Sequence, residues 1–118
     1  MKLHEIREIL EAEIVYGGDL LDIEIYGGAA SDLMSDLLRK PKEGALLLTG
    51  LTSIQAINTS VIAGMAAIVF VRGKRPDNEI IVHAMKHEIP VLLTPFNMFT
   101  SCGRLYENGL RSIALRPF

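Results

Sequence analysis

The chain has 118 residues, 49% of them hydrophobic, and a formal net charge of −2. This length predicts a single domain over residues 1–118, and the lack of a basic, aromatic-rich cluster argues against nucleic-acid binding. One cysteine, Cys102, excludes an internal disulfide and a cysteine-only metal site. The first ten residues are charged and amphipathic. They do not resemble a signal peptide, so we expect a cytoplasmic protein.

The N-terminal quarter is predicted to form a helix and a strand pair. Residues 2–11 have apolar side chains at helical spacing with charged ones between them, the pattern of an amphipathic helix. Glu13–Tyr16 has the composition of a strand, and residues 22–26 alternate polar and apolar side chains as a half-buried strand does. We therefore expect a β-hairpin or a short strand pair attached to the main sheet. The Gly27-Gly28 pair is predicted to break the chain.

Residues 31–39 are predicted to form a helix. Ser31 or Asp32 can cap it by accepting a hydrogen bond from a backbone N–H. Pro41 ends it, because the residue before a proline avoids the helical conformation. Four apolar residues share the side that is expected to face the core: Leu33, Met34, Leu37 and Leu38.

The stretch from residue 45 to residue 71 contains no Asp, Glu, Lys or Arg. Its two ends, Ala45–Thr49 and residues 65–71, are apolar runs with the length of buried strands, and the segment between them has helical periodicity. A strand, a crossover helix and a second apolar strand are typical of a parallel sheet covered on both faces. Glycines and polar residues interrupt the stretch, so a membrane span is not expected.

The crossover helix lacks the charged outer face of an ordinary surface helix. Its apolar stripe, predicted to face the core, consists of Ile54, Ile57, Val61 and Met65. Its other faces carry small uncharged residues: Ala56, Thr59, Ser60 and Ala63. We infer that a second chain or a ligand covers those faces, which predicts a homodimer. Asn58 lies in line with the apolar stripe, where a buried amide needs a backbone partner or a subunit boundary. The interface candidates are Asn58, Thr59 and Ala63.

Helices and strands continue to alternate in the C-terminal half. A helix is predicted from Asp77 or Asn78 to about residue 88, a strand at Val91–Leu93, and a last helix over residues 94–107 with Thr94 as its cap. Residues 112–115 are a candidate edge strand. The sum is a small three-layer α/β domain. A mainly parallel central sheet is flanked by helices, with an N-terminal helix and a short strand pair added to it.

Ligand candidates gather where the parallel strands end, the edge at which α/β sheets bind ligands. The loop of residues 49–53 follows the first central strand, and its N–H groups at a helix start are suited to an anion. Alternatively, Thr52 or Ser53 simply caps the helix. Arg72, Lys74 and Arg75 follow the second strand and either complete this anion site or form a solvated turn.

The nucleotide-binding motifs that would indicate a kinase are absent. Gly73-Lys74 is the only Gly-Lys pair, but Ile68 stands where a P-loop needs its first glycine. Arg75 stands where the motif needs Ser or Thr, and no GxGxxG occurs.

Metal and thiol chemistry have weak support as well. His83 and His87 share a helix face, but no third ligand accompanies them, which favours solvated side chains. No motif sets a histidine beside Cys102 to activate its thiol, so a packed cysteine is the better interpretation. The sequence therefore predicts no catalytic residue, no metal and no cofactor.

Three segments resemble the DRTGG domain family: GGAASDLMSDLL at residues 27–38, AAIVFVRGKRPDNEII at residues 66–81, and IPVLLTPFNMFTSCGRLYENGL at residues 89–110. The match extends over nearly the whole chain. The motif that names the family is not present literally. At the corresponding place stands DIEIYGG, residues 22–28, and only its aspartate and its glycine pair agree with the motif.

The resemblance implies a small α/β domain similar to the N-terminal domains of HPr kinase/phosphorylase and of Mur ligases. In multidomain relatives such modules accompany nucleotide-sensing CBS domains or phosphate acetyltransferases, which implies a regulatory role. Stand-alone relatives are described as HPr serine kinase-like, and some accompany iron-only hydrogenase genes. The kinase label belongs to a P-loop domain, which this sequence lacks.

The leading hypothesis is a non-catalytic, homodimeric regulatory or interaction module that binds a nucleotide or a phosphorylated metabolite, with no nucleic-acid or membrane partner. Its candidate ligand-binding residues are Ser31, Asp32, Thr49, Gly50, Thr52, Ser53, Arg72, Lys74 and Thr94. One alternative is an accessory factor of a redox enzyme such as an iron-only hydrogenase. Another is a small enzyme that uses Cys102, or the loop of residues 49–53 with Arg72, and it predicts that these groups converge beside a general base.

Overall fold

The structure, a computed structural model, describes residues 1–114. Its strands are β1 (Glu13–Tyr16), β2 (Gly27–Ala30), β3 (Ala45–Thr49), β4 (Ala67–Phe70) and β5 (Val91–Leu93). They form one sheet in the order β1-β5-β4-β3-β2. Strands β2 to β5 run parallel, and β1 pairs with β5 in the antiparallel direction. The prediction of a mainly parallel sheet in an α/β fold is confirmed.

Helices cover both faces of the sheet. They are α1 (Leu3–Ile9), α2 (Met34–Leu37), α3 (Ile54–Ala63), α4 (Asn78–Lys86) and α5 (Met98–Glu107). From β2 to β5 the chain advances one strand at a time, and right-handed crossovers therefore place α2, α3 and α4 on the same face. Helices α1 and α5 pack on the opposite face.

Two apolar cores result, one on each side of the sheet. Successive side chains of a strand point to opposite faces, so Leu47 enters the core under α3 while Leu46 and Leu48 enter the core under α1 and α5. All residues of β3, β4 and β5 are buried. Burial on both faces explains why these strands appear in the sequence as continuous apolar runs.

The predicted strand pair near the N-terminus is wrong. Residues 22–26 form no strand and contribute a single bridge, between Lys2 and Glu24, while β1 pairs with β5 instead. The glycine pair does not break the chain, because it begins the edge strand β2. Close packing requires glycine here: a Cβ atom on Gly27 would lie 2.8 Å from the Cα atom of Ile113.

The predicted helix at residues 31–39 shrinks to the single turn of α2, with Leu33 at its N-cap. The hydroxyl of Ser31 accepts the Leu33 N–H at 2.9 Å, and Asp32 bonds to a different loop, so neither residue caps a longer helix. Of the four apolar residues expected inside, Met34 and Leu37 are buried and Leu33 and Leu38 are exposed.

Helix α3 forms as predicted, and Ile57 and Met65 of its predicted inner stripe are buried, but Val61 is not. The small residues are buried: Ala56, Thr59, Ser60 and Ala63, together with Ile57. Val61 is 40% exposed and Ile62 is 73% exposed. The helix is packed between α2 and α4 above the sheet, where small side chains permit a close approach. The prediction that Thr59 and Ala63 lie on an outer face is therefore wrong.

The last helix starts later than predicted. Asn97, not Thr94, is the N-cap of α5, and its side chain accepts the Thr100 N–H at 2.9 Å. The carbonyl groups of Thr94 and Phe96 instead accept the N–H groups of residues 73 and 72, which tie this segment to the end of β4. The predicted cap at Asp77 is confirmed. Of the candidate edge strand at residues 112–115, Ser112 bridges to Gly28, and residue 115 lies outside the described residues.

Candidate functional site

The carboxyl ends of β2, β3 and β4 meet at one edge of the sheet. Three strand ends bring together four of the predicted ligand residues: Asp32, Thr49, Gly50 and Arg72, which we call the edge cluster. Parallel neighbours end side by side, so residues that are distant in sequence become adjacent at this position. The edge cluster is therefore the part of the predicted site that the fold assembles.

Asp32 is bonded to the loop that follows β3. One carboxylate oxygen, Oδ1, accepts the Gly50 N–H at 2.7 Å and the Thr49 hydroxyl at 3.1 Å. The Thr49 hydroxyl in turn accepts the Leu51 N–H at 3.1 Å. Within residues 1–114, the second carboxylate oxygen of Asp32 has no hydrogen-bond partner. The carboxylate thus fixes the loop and keeps one acceptor directed outward.

Arg72 lies against Gly50. A Cβ atom added to Gly50 would lie 2.7 Å from the terminal guanidinium nitrogen Nη2, so a larger residue there would displace the flexible Arg72 side chain. The backbone of Arg72 has a left-handed φ of 64°, and its N–H donates to the Phe96 carbonyl at 2.8 Å. In the described part of the chain, no carboxylate lies within ion-pairing distance of this exposed guanidinium. The edge cluster therefore contains one cationic group without an ion-pair partner among the described residues and one carboxylate, that of Asp32.

The start of α3 lies beside the edge cluster. The hydroxyl of Ser53 accepts the Ala56 N–H at 3.3 Å, so Ser53 is the N-cap, as the alternative interpretation required. Thr52 is half-buried next to it. The N–H groups of Ile54 and Gln55 have no partner among the residues that the structure describes, as is usual at a helix start.

The other cations of the loop after β4 are not part of the edge cluster. Arg75 donates from Nη2 to both carboxylate oxygens of Glu13, at 2.6 and 2.7 Å. This hydrogen bond raises the pKa of the Arg75 guanidinium above its ordinary value. Lys74 is exposed, and its ammonium group makes no hydrogen bond within the described residues. Of the three cations, only Arg72 is placed beside the loop of residues 49–53.

Two further predicted ligand residues serve the structure. Thr94 is fully buried, and its hydroxyl donates to the Leu10 carbonyl at 2.7 Å, which joins the end of β5 to α1. Ser31 precedes Asp32, but its hydroxyl is engaged with the backbone of Leu33. These hydrogen bonds hold both hydroxyl groups in place elsewhere, and neither hydroxyl is directed to the edge cluster.

Cys102 lies apart from the edge cluster, in the wall of a cavity beside α5. None of the described residues that line this cavity is a histidine, an aspartate or a glutamate. Burial raises the pKa of the thiol. A thiol with a raised pKa and no adjacent base is a weak nucleophile, so the enzyme hypothesis based on Cys102 gains no support.

The two helix histidines make a local contact with α3. The Nε2 atom of His83 lies 2.6 Å from the Asn58 side-chain oxygen, and the ring of His87 packs edge-on at 4.9 Å. Among the described residues, no group of three His, Cys, Asp or Glu side chains could hold a metal ion. In the same residues, no helix is long and apolar enough to cross a membrane.

The family model of the DRTGG domain matches residues 5–107. The chain belongs to the DRTGG domain family. The resemblance carried by the three sequence segments is thereby confirmed. A comparison with curated proteins finds no match.

A solved structure has a similar fold to this DRTGG domain. It comprises the CBS and DRTGG domains of the regulatory region of a Clostridium perfringens pyrophosphatase, complexed with its activator, diadenosine tetraphosphate. The TM-score is 0.68 and the sequence identity is 20%, over 88% of this chain. This chain spans 45% of the length of that chain. At this identity the likeness establishes the shared fold.

Of the residues around the cavity beside α5, sequence reasoning considered Cys102 but missed Tyr106 and Arg111. Tyr106 and Arg111 form part of its wall, yet they lie at the end of a helix and in a tail that the sequence leaves ambiguous. The available signal was an exposed aromatic residue followed by an arginine across an Asn-Gly turn. This pattern indicates a cavity only when it is known that β2 lies next to α5 and the segment that follows it.

Proposed function

We propose that this DRTGG domain is a non-catalytic regulatory module that binds a nucleotide at its edge cluster. The observation that carries the proposal is that the unpaired Arg72 guanidinium and the Asp32 carboxylate both lie against Gly50, at the edge where α/β sheets bind ligands. A regulatory role is also supported by family membership, and the similar pyrophosphatase region was solved with a nucleotide activator.

A nucleotide fits the edge cluster better than a bare anion does. An arginine can bind a phosphate through two parallel hydrogen bonds. The Asp32 carboxylate repels a simple anion, but its free oxygen can accept a hydrogen bond from a ribose hydroxyl, as acidic residues do in other nucleotide sites. A ligand that carries ribose hydroxyl groups and a phosphate can therefore bind the Asp32 carboxylate and the Arg72 guanidinium at the same time.

The same groups support a non-catalytic role. The edge cluster contains no histidine, and its one carboxylate is engaged in fixing the loop after β3. A general base needs a pKa matched to its task and access to the proton that it removes. The edge cluster is suited to recognition rather than to proton transfer.

The binding test is calorimetric titration of the native domain with ADP and with inorganic phosphate. We expect ADP to bind and phosphate to bind more weakly, and the Arg72→Gln variant to lose affinity for ADP by about tenfold or more. Arg7→Gln is the matched control, because it removes an exposed arginine from α1 on the opposite face of the sheet. Unchanged ADP affinity in Arg72→Gln, or no ADP binding by the native domain, would overturn the proposal.

We further propose that the domain forms a homodimer through the outer faces of α3 and α4. These helices expose four apolar side chains: Val61, Ile62, Val82 and Met85. Asn58, one of the predicted interface residues, lies on the same surface and contacts α4 through His83. Helices α3 and α4 pack against each other, and exposed apolar side chains on neighbouring helices support a subunit contact there.

Light scattering at micromolar concentration tests the dimer. The native domain should have the mass of two chains, and Ile62→Asp should reduce it to one. Gln55→Asp, at another exposed position of α3, is the control and should remain dimeric. A native domain that is monomeric throughout would contradict the proposal.

A further inference from the structure

A cavity of about 250 Å³ lies between the end of the edge strand β2 and helix α5. Its floor is formed by β2 and by Leu48 of β3, and its walls by α5 and by the segment that follows it. Sites for drug-sized ligands typically measure roughly 300–1,000 Å³. This α5 cavity therefore has room for one ring system rather than for a large ligand.

The floor is flat because β2 has almost no side chains. Gly28 and Ala30 face the α5 side of the sheet, and Ala30 pairs in register with Leu48. A Cβ atom on Gly28 would lie 3.4 Å from a methyl carbon of Leu110, so a larger residue there would enter the cavity. The small residues thus keep open a slot of limited height.

The outer wall is a pair of planar groups held in place. The Arg111 guanidinium lies 4.0 Å from the centre of the Tyr106 ring, a cation–π contact. Its Nη1 atom donates to the carbonyl groups of Tyr106 and Leu110, at 2.9 and 3.3 Å. Tyr106 is nevertheless 62% exposed. A rigid aromatic and cationic surface of this kind is suited to stacking against a flat, electron-rich ring.

The open edge of β2 supplies directional polar groups. The Gly28 N–H donates to the Arg111 carbonyl, and the Ile113 N–H donates to the Gly28 carbonyl, both at 2.9 Å. The Ser31 N–H bonds in the opposite direction, to Leu48 of β3. Because alternate residues of a strand direct their peptide groups to opposite sides, the N–H and C=O of Ala30 point to the same side as those of Gly28. These two groups of Ala30 therefore lie at the outer edge of β2, beside the floor of the cavity.

We propose that the α5 cavity binds the planar heteroaromatic base of the nucleotide whose charged part is held by the edge cluster, an inference that rests on the proposed function. Ala30 and Leu48 line the cavity, while Asp32 and Thr49, one or two residues further along the same strands, belong to the edge cluster. The two sites are thus adjacent. The apolar floor, the stacked wall and the peptide group of Ala30 match the face and the hydrogen-bonding edge of a nucleobase.

Cys102 provides a reporter, because it is the only cysteine and it lines the cavity. Adenosine, which has a base but no phosphate, is the probe. Saturating adenosine should slow the reaction of Cys102 with a maleimide by about tenfold, since a ligand that fills the site excludes the reagent. Unaltered labelling in the presence of adenosine would overturn the proposal.

Calorimetry with variants then tests the cavity independently of the edge cluster. Ala30→Leu fills the slot and Tyr106→Ala removes its wall, and each should weaken adenosine binding by about tenfold. Phe99→Ala is the matched control, because Phe99 is an aromatic residue of α5 that is 87% exposed and does not line the cavity. Native adenosine affinity in both Ala30→Leu and Tyr106→Ala would refute the base site.

ADP separates failure of this inference from failure of the proposed function. If Arg72→Gln loses ADP binding while Ala30→Leu retains it, the edge cluster stands and the base site is refuted. If Ala30→Leu loses ADP and adenosine binding while Arg72→Gln binds ADP as the native domain does, the cavity stands and the edge cluster is refuted. Thermal unfolding of each variant verifies that it is folded.

Discussion

Helix α3 packs on its face of the sheet largely through small residues, whereas α1 and α5 meet a core of large aliphatic side chains on the opposite face. Ala56 and Ser60 bring α3 close to the strands, and the Ser60 hydroxyl is satisfied by the Ala56 carbonyl at 2.9 Å. Leu10 and Leu105 fill the opposite core, but a cavity remains beside α5. A groove on the first face lies between α3 and α4 and, within residues 1–114, is lined by no strand residue, whereas the α5 cavity reaches β2 and β3 and gives the second face room for a ligand.

Matched leucine truncations on the two faces should differ most. We expect Leu47→Ala, in the dense core, to lower the free energy of unfolding by about 4–5 kcal/mol. Leu105→Ala, beside the existing cavity, should cost about 2–3 kcal/mol, because solvent can occupy the enlarged space. Urea denaturation of both variants measures the difference. Equal costs would indicate that the two faces are packed alike.

Added side-chain volume should likewise cost more stability on the first face than on the second. Ala56 is fully buried under α3, so Ala56→Leu should destabilise the domain by about 1–3 kcal/mol through overpacking. Ala30→Leu adds the same side chain over the α5 cavity and should change stability by less than about 0.5 kcal/mol. A similar loss in both variants would show that the cavity cannot accept a side chain.

The edge cluster lies where the two faces meet, and its contribution to stability should be smaller. Asp32→Ala removes the acceptor of the Gly50 N–H and the Thr49 hydroxyl, which should cost about 1 kcal/mol at this exposed carboxylate. Asp36→Ala, on the neighbouring helix α2, is the control, because Asp36 forms only a 4.0 Å exposed ion pair. Thermal denaturation should show a lower melting temperature for the first variant alone.

The environment of the α5 cavity should also affect the pH at which the Cys102 thiol reacts. Burial raises the pKa of Cys102, so its thiolate forms at a higher pH than that of an exposed cysteine. The rate of alkylation by iodoacetamide should therefore rise with pH and reach its midpoint above that of a free cysteine peptide. A midpoint at or below the peptide value would indicate an activating neighbour that the cavity wall does not show.

The centre of the fold could be predicted from sequence because its strands are buried on both faces. Continuous apolar runs located β3, β4 and β5 without knowledge of their partners. The faces of α3 could not be predicted in the same way. The helix has no charged side to mark its exposed face, and the close approach of α2 and α4 buries its small side chains together with Ile57.

Segments whose structure depends on distant partners were predicted poorly. The glycine and alanine residues of β2 carry no strand signal, and they become a strand only by pairing with β3 and with the segment near residue 112. The same dependence applies to the candidate sites. The edge cluster could be predicted from the positions of the strand ends, because the carboxyl ends of parallel strands lie at the same edge of the sheet. The α5 cavity requires Tyr106 and Ala30 to be neighbours, which no local pattern expresses.

The pairing of Gly28 with Arg111 and Ile113 has a consequence for solubility. An edge strand made only of glycine and alanine has no charge or proline to prevent another chain from adding to it. The two backbone hydrogen bonds of Gly28, with Arg111 and Ile113, occupy part of that edge. The segment after α5 therefore blocks the addition of a strand from another molecule at this position. Its local release would expose a template for aggregation while leaving the rest of the sheet folded.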